Sequence, residues 1–297
     1  MAVDIVVAAS AQAEREMSVG ARGRGWPPLL PLAIVGLFVA CALFAPLLAP
    51  HSPIEGTLTD RLRPPFGMAG GTFDHLLGTD RQGRDTLSRL IFGARISLSV
   101  SLLGILITGT FGTVVGLVAG FRGGWLDGLL MRIVDISLSL PGILVALLLA
   151  VVFRPSFANV VLVIAFVLWP SYARLVRGEA LSLKHQDFVA LARVAGCSSA
   201  TIIRRHILPN VAPSILVLGT LHVGLVIVLE AALSFLGVGI PPPTPPWGVM
   251  VADGRGLIEQ AWWISILPGV AILVTVISLN ILGDWVRDRL DPKLRQV

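Results

Sequence analysis

Six stretches of this chain are apolar over about the length a helix needs to cross a bilayer, roughly 20 residues. They lie at 29–49, 97–119, 135–153, 156–174, 212–236 and 263–283. Hydrocarbon offers no water to unpaired peptide groups, so such segments must satisfy their own hydrogen bonds as helices. The expected fold class is therefore an all-α integral membrane protein with six transmembrane helices. Composition agrees. With 55% hydrophobic and 14% charged residues and a mean hydropathy of +0.83, a chain of 297 residues has too much apolar surface to hide in water.

Arginine and lysine set the orientation. Placing the N-terminus in the cytoplasm puts residues 1–28, 120–134, 175–211 and 284–297 on that side. With Arg174 at the border, these segments hold fifteen of the 23 basic residues, in keeping with the positive-inside rule. Both termini are expected in the cytoplasm, with tails at 1–28 and 286–297. The 50–95 loop faces the other side, and its six arginines are mixed with Glu55, Asp60, Asp74, Asp80 and Asp85. Within that loop Leu87, Leu90 and Ile91 alternate with Arg84, Arg89 and Arg95, which predicts an amphipathic helix on the outer interface over 81–95.

The run at 29–49 follows Arg15, Arg22 and Arg24 without a small-residue cleavage pattern and is taken as a retained signal anchor. Runs three and four are parted only by Arg154 and Pro155, a tight membrane hairpin. Tryptophans 26, 125, 169, 247, 262, 263 and 285 all fall near span ends, as an interfacial belt would. Residues 96–285 then form a five-helix core with a cytoplasmic loop at 175–211. In its first helix Gly104, Thr108, Gly112, Gly116 and Gly120 make a ridge of small residues that admits a close neighbour.

One segment does not fit a bilayer: DFVALARVAGCSSATIIRRHILPN, residues 187–210. Phe188, Leu191, Ala192 and Ala195 recur at the spacing of one helical face, with Asp187 as N-cap and Gly196 as stop. A second short helix fits Ser198 to His206, capped by Ser198. Pro209 is expected to break the chain before the fifth span. A helix of about ten residues is marginal alone in water, so it rests on lipid, on the bundle or on another protein. The net charge of +5 is explained by membrane orientation rather than nucleic acid.

The pattern around Gly196 resembles the cytoplasmic loop of ABC importer permeases. That family carries Glu-Ala-Ala, three residues, Gly, nine residues, Ile, one residue, Leu-Pro. Here the Gly is Gly196 and the Leu-Pro is Leu208-Pro209. The Glu-Ala-Ala positions hold Ala190, Leu191 and Ala192, and the Ile position holds His206, so the family carboxylate is absent. HLLGTDRQGRDTLSRLIFGARISL (75–98), EAALSFLGVGIPPPTPPWGVM (230–250) and LGDWVRDRLDPKLRQV at the C-terminus resemble the C-type permease of dipeptide and oligopeptide importers, with nickel importers sharing much of the pattern.

The resemblance implies a type I permease fold in a bacterial inner membrane, paired with a second, homologous permease. It also implies two cytoplasmic ATPase subunits that bind ATP and Mg, and an extracytoplasmic substrate-binding protein. ATP binding would drive the permeases from inward-facing to outward-facing. On this expectation Asp187, Phe188, Ala190, Leu191, Ala192, Arg193, Gly196, Leu208 and Pro209 couple the bundle to an ATPase. The cargo would be a dipeptide or short oligopeptide; the alternative is nickel or a metal chelate.

The chain itself carries no catalytic signature. Neither Lys184 nor Lys293 follows a glycine, so no P-loop is present, and G-x-S-x-G and H-E-x-x-H are absent. The five histidines show no metal-ligand spacing, and Cys41 and Cys197 are expected as free thiols. No cofactor is expected on this chain, nor a nucleic-acid partner. Glu230, inside the fifth run, is costly in lipid unless paired or wet; it is either a pathway or gate residue or part of a buried pair, with His222 on the same face. Two rival classes remain: an ion-driven secondary transporter, against which no internal repeat is found, and an intramembrane enzyme, for which Glu230 and His222 are too few groups.

Overall fold

The computed structural model describes residues 27–290, so most of both expected tails lies outside the described residues. Apart from one bridge between Thr79 and Asp85, regular structure among the described residues is helical. A short apolar helix α1 (Leu29–Leu43) and a single turn α2 (Ala45–Leu48) precede the long loop. Then come α3 (Thr86–Arg122), α4 (Gly124–Ser139), α5 (Gly142–Val152), α6 (Phe157–Leu183) and α7 (Asp187–Val194). The chain continues through α8 (Ser199–Ile202), a π-helical turn at Ile203–Ile207 and α9 (Leu208–Phe235). It ends with α10 (Trp247–Gly254), α11 (Ile258–Ala261) and α12 (Trp263–Leu290).

Four helical units are long and apolar enough to span a membrane: α3, α6, the α8–α9 rod and α12. The remaining two expected spans are accounted for differently. α1 is only 15 residues long because the helix breaks at Phe44 before Pro46. The third run is not one straight helix over 135–153. α4 and α5 meet at 92° across Leu140 and Pro141, since proline has no N–H to continue the ladder and holds the residue before it extended.

The centre of the bundle is the α3–α6 contact, and the small-residue ridge creates it. Gly104, Thr108, Gly112, Gly116 and Gly120 are all buried. A β-carbon at Gly112 would lie 2.6 Å from the Trp169 carbonyl oxygen and from Tyr172 Cβ, and one at Gly116 would lie 2.6 Å from the Ala173 oxygen. Backbone meets backbone here, as small-residue ridges allow in membranes. Lys184, just past α6, donates to the Gly120 carbonyl at 3.0 Å and so satisfies the end of α3.

Two expectations at the opposite end of α3 are corrected. There is no separate amphipathic helix at 81–95. Residues 86–95 are the first turns of the 37-residue α3, and Arg89 is 2% exposed instead of lying on lipid. It donates to Asp80 and, at 3.0 Å, to Asp253 of α10; Arg84 Nε donates to Asp80 at 2.6 Å. The tryptophans are not uniformly an interfacial belt either. Trp169, Trp247 and Trp263 are buried, with Trp247 Nε1 donating to the Leu90 carbonyl and Trp263 Nε1 to that of Thr79. Gly93 is needed where Trp247 crosses α3, since a β-carbon there would sit 2.6 Å from its ring.

Candidate functional site

The 187–210 segment folds as two short helices whose roots are in the bundle. Val189 and Ala192 of α7 are buried against Val176 and Ala180 of α6, Ile207 at the end of the π-turn and Val211 of α9. The apolar face expected at Phe188, Leu191, Ala192 and Ala195 is therefore corrected: only Ala192 of that set points inward, with Val189 one turn before it. Leu191 is 69%, Val194 87% and Phe188 38% exposed. Ala190 and Arg193 are exposed beside them, and the Arg193 guanidinium lies 5.5 Å from the centre of the Phe121 ring.

The stop at Gly196 forms as expected. Its φ of +76° is a left-handed conformation, cheap only for glycine. The Gly196 N–H donates to Arg193 and the Cys197 N–H to Ala192, both at 3.0 Å, a Schellman closure. Asp187, however, is the first helical residue rather than the cap; Gln186 holds that place without a side-chain bond. Ser198 does cap α8, accepting from the Thr201 N–H at 3.3 Å. Pro209 does not break the chain. It lies in the first turn of α9, immediately after the π-helical turn at Ile203–Ile207 through which the helix continues, and Leu208 packs on the Val189 cluster. The 187–210 segment thus runs into a 37-residue rod, Ser199–Phe235.

Glu230 is fully buried in α9. It is not paired with His222, whose ring stands edge-on to Tyr172 at 5.3 Å. Glu230 accepts from Ser234 Oγ at 2.7 Å and more weakly from Ser97 Oγ of α3 at 3.4 Å. Ser97 Oγ in turn lies 3.4 Å from the Trp247 N–H. The carboxylate therefore sits where α3, α9 and the start of α10 meet. The 239–248 loop has its first prolines exposed and Pro245 to Gly248 buried, so its second half is fastened over this junction. Sequence spacing missed both the Asp80–Arg89–Asp253 network and the approach of His51, His75 and Asp85, because their members come together only through the fold.

The arrangement defines a polytopic helical subunit: a close-packed core, with a short apolar-faced helix rooted at one end of it. Residues 112–296 match the family model for the binding-protein-dependent transport system inner membrane component, and the chain belongs to that family. It is similar to the di/tripeptide transport system permease protein DppC of Pseudomonas aeruginosa, with 44% identity over 87% of this chain and 86% of the relative. The dipeptide transport system permease protein DppC of Escherichia coli K12 is 43% identical over 93% and 91% of the two chains. The glutathione transport system permease protein GsiD of Pectobacterium atrosepticum is 40% identical over 87% and 84%.

Among solved structures, the inward-facing MetNI methionine ABC transporter aligns with a TM-score of 0.58 at 18% identity, over 69% of this chain and 97% of that one. An amino acid ABC transporter crystallised with histidines aligns at 0.51 and 16%, over 68% and 94%. These likenesses establish the fold, that of ABC importer type I permeases. The chain is an inner-membrane, multi-pass permease component.

Proposed function

We propose that this chain is one of two permease subunits of an ATP-driven importer of dipeptides or short oligopeptides. Its α7 is the coupling helix for a cytoplasmic ATPase. The cargo assignment rests on the three relatives above, which are named for di/tripeptide, dipeptide and glutathione transport; none of these three supports the nickel or metal-chelate alternative. Two ATPase subunits would bind the ATP and Mg, a second permease would complete the pathway, and an extracytoplasmic binding protein would deliver cargo. Membership of a binding-protein-dependent family also sets the ion-driven carrier aside.

The outward apolar row of α7 carries the coupling reading. Leu191 and Val194 stand exposed on a helix whose other face is locked into α6 and α9, a shape suited to a groove in a cytoplasmic partner. Asp187, Ala190 and Arg193 would form the rim. Moving a two-state permease from 1:99 to 99:1 takes about 5.5 kcal/mol of differential binding. Transmitting a free energy of that order needs a rigid lever, and the Val189–Ala192 root with the continuous α8–α9 rod supports that reading. Glu230 acts in this scheme as a positioning residue that ties the α10 loop to α3 and α9.

Gentle extraction of tagged chain from its native membrane, followed by mass spectrometry and uptake of a labelled dipeptide by reconstituted vesicles, tests the proposal. Co-purification of a second permease with P-loop ATPases, and ATP-dependent uptake, is the expected result. A chain that emerges alone after crosslinking, or uptake that follows an ion gradient without ATP, overturns it.

A further inference from the structure

At the far end of α3 from the coupling helix, three separate parts of the chain bring metal-ligating side chains together. His51 follows α2, His75 lies in the long loop, and Asp85 caps α3. One ligand atom from each lies within 4.8 Å of the other two. His75 Nδ1 is 3.0 Å from Asp85 Oδ1, His51 Nδ1 is 4.0 Å from Asp85 Oδ2, and the two imidazole rings are 4.9 Å apart.

A helix cap bonded to one histidine would account for His75 and Asp85 alone. It does not account for His51, whose ring makes no hydrogen bond among the described residues. Nor does it account for the way one hydroxyl holds two of the three groups. Ser88 Oγ donates to Asp85 Oδ2 at 2.7 Å and accepts from the His51 backbone N–H at 3.0 Å. The Ser88 N–H donates to the same carboxylate oxygen at 2.8 Å. Asp85 Oδ2 is thereby held by Ser88 while Oδ1 faces His75. Outer hydrogen bonds of this kind orient the ligands of metal sites.

We propose that His51, His75 and Asp85 bind a divalent transition metal of the zinc class. Two imidazoles and a carboxylate, with water in a fourth place, suit such ions, whereas calcium and magnesium favour all-oxygen shells. Bonds of about 2.0–2.1 Å require tetrahedral ligand atoms roughly 3.4 Å apart. The His75–Asp85 pair, at 3.0 Å, needs to open by only a few tenths of an ångström. His51, with 42% of its side chain exposed, can close the rest by side-chain rotation, while Asp85 is 1% and His75 12% exposed. The ion would enter from the solvent side past His51. Bound metal would fasten residues 51 and 75 to the start of α3, next to the Asp80–Arg89–Asp253 network that holds α10. This site is independent of the transport reading, and its test is likewise separate.

The full chain, purified in detergent without a histidine tag, is titrated with Zn²⁺ against a chromophoric chelator and with Co²⁺ for its visible spectrum. One equivalent of Zn²⁺ and a tetrahedral Co²⁺ spectrum are expected. His51→Ala and His75→Gln should each weaken binding at least tenfold, and the double variant should lose the Co²⁺ spectrum. His51 is exposed, so its variant should melt like the wild type without metal, which separates lost ligation from lost folding. Failure of the wild type to take up one equivalent overturns the proposal, as does unchanged affinity in the double variant.

Discussion

Leu191→Ala with Val194→Ala is the perturbation that separates a docking face from a surface helix. Burying a leucine or valine side chain is worth about 1.5–3 kcal/mol, and Leu191 and Val194 keep 69% and 87% of their surface in the free chain. Losing both on the outward face removes about 2–4 kcal/mol of potential burial against a partner. The fixed costs of association are the same for variant and wild type, so this difference appears as a roughly 30- to 700-fold weaker complex at ~1.4 kcal/mol per decade. The fold itself should not notice, since neither side chain is in its core. Val189→Ala is the control in the other direction. It deletes two buried methyl groups at about 0.8 kcal/mol each, so it should lower the melting temperature through the α7 root. The assay is titration of the labelled ATPase onto the permease pair in nanodiscs, with thermal unfolding alongside. Wild-type ATPase affinity in the double variant, with both side chains gone, would refute the docking face.

Four further outcomes follow from the packing. Gly196→Pro should abolish uptake while leaving membrane insertion intact, because proline cannot adopt a φ of +76°; normal uptake counts against the coupling assignment. Gly112→Leu should prevent accumulation of folded protein, since even a β-carbon there meets the α6 backbone at 2.6 Å; detergent-stable, monodisperse protein would contradict the ridge. Asp80→Leu leaves Arg84 and Arg89 without their shared carboxylate and should cost about 3–5 kcal/mol, read as a large fall in the unfolding midpoint. Glu230→Gln keeps an acceptor for Ser97 or Ser234 and should retain uptake, whereas Glu230→Leu leaves buried hydroxyls unpaired at about 1–3 kcal/mol and should lower thermal stability.

Long-range order explains what the sequence concealed. The apolar runs, the ridge on α3 and the Gly196 stop are local properties, and periodicity or composition is enough to find them. The bend between α4 and α5 was signalled by Pro141, but an unbroken apolar run from 142 to 152 masked it. Arginines among leucines at 84–95 look the same whether they meet lipid headgroups or a buried aspartate, and Asp253 lies 164 residues from Arg89. The inward face of α7 depended on what α6 and the π-turn offered it. With Val189 turned into that contact, Phe188, the adjacent residue round the helix, is left partly exposed. The Ser97–Glu230 contact likewise joins helices 133 residues apart, and no spacing rule reaches that far.

If an ATPase grips α7, the exposed residues of that helix lie against it. The most direct measurement places a single cysteine at the exposed Ala190, in a chain with Cys41 and Cys197 replaced by serine, and crosslinks it in native membranes. The account predicts a crosslink to one P-loop ATPase whose yield changes when ATP is bound, and none from a cysteine at the buried Val189. Crosslinking to lipid alone from Ala190, or equal yields at both positions, would contradict it.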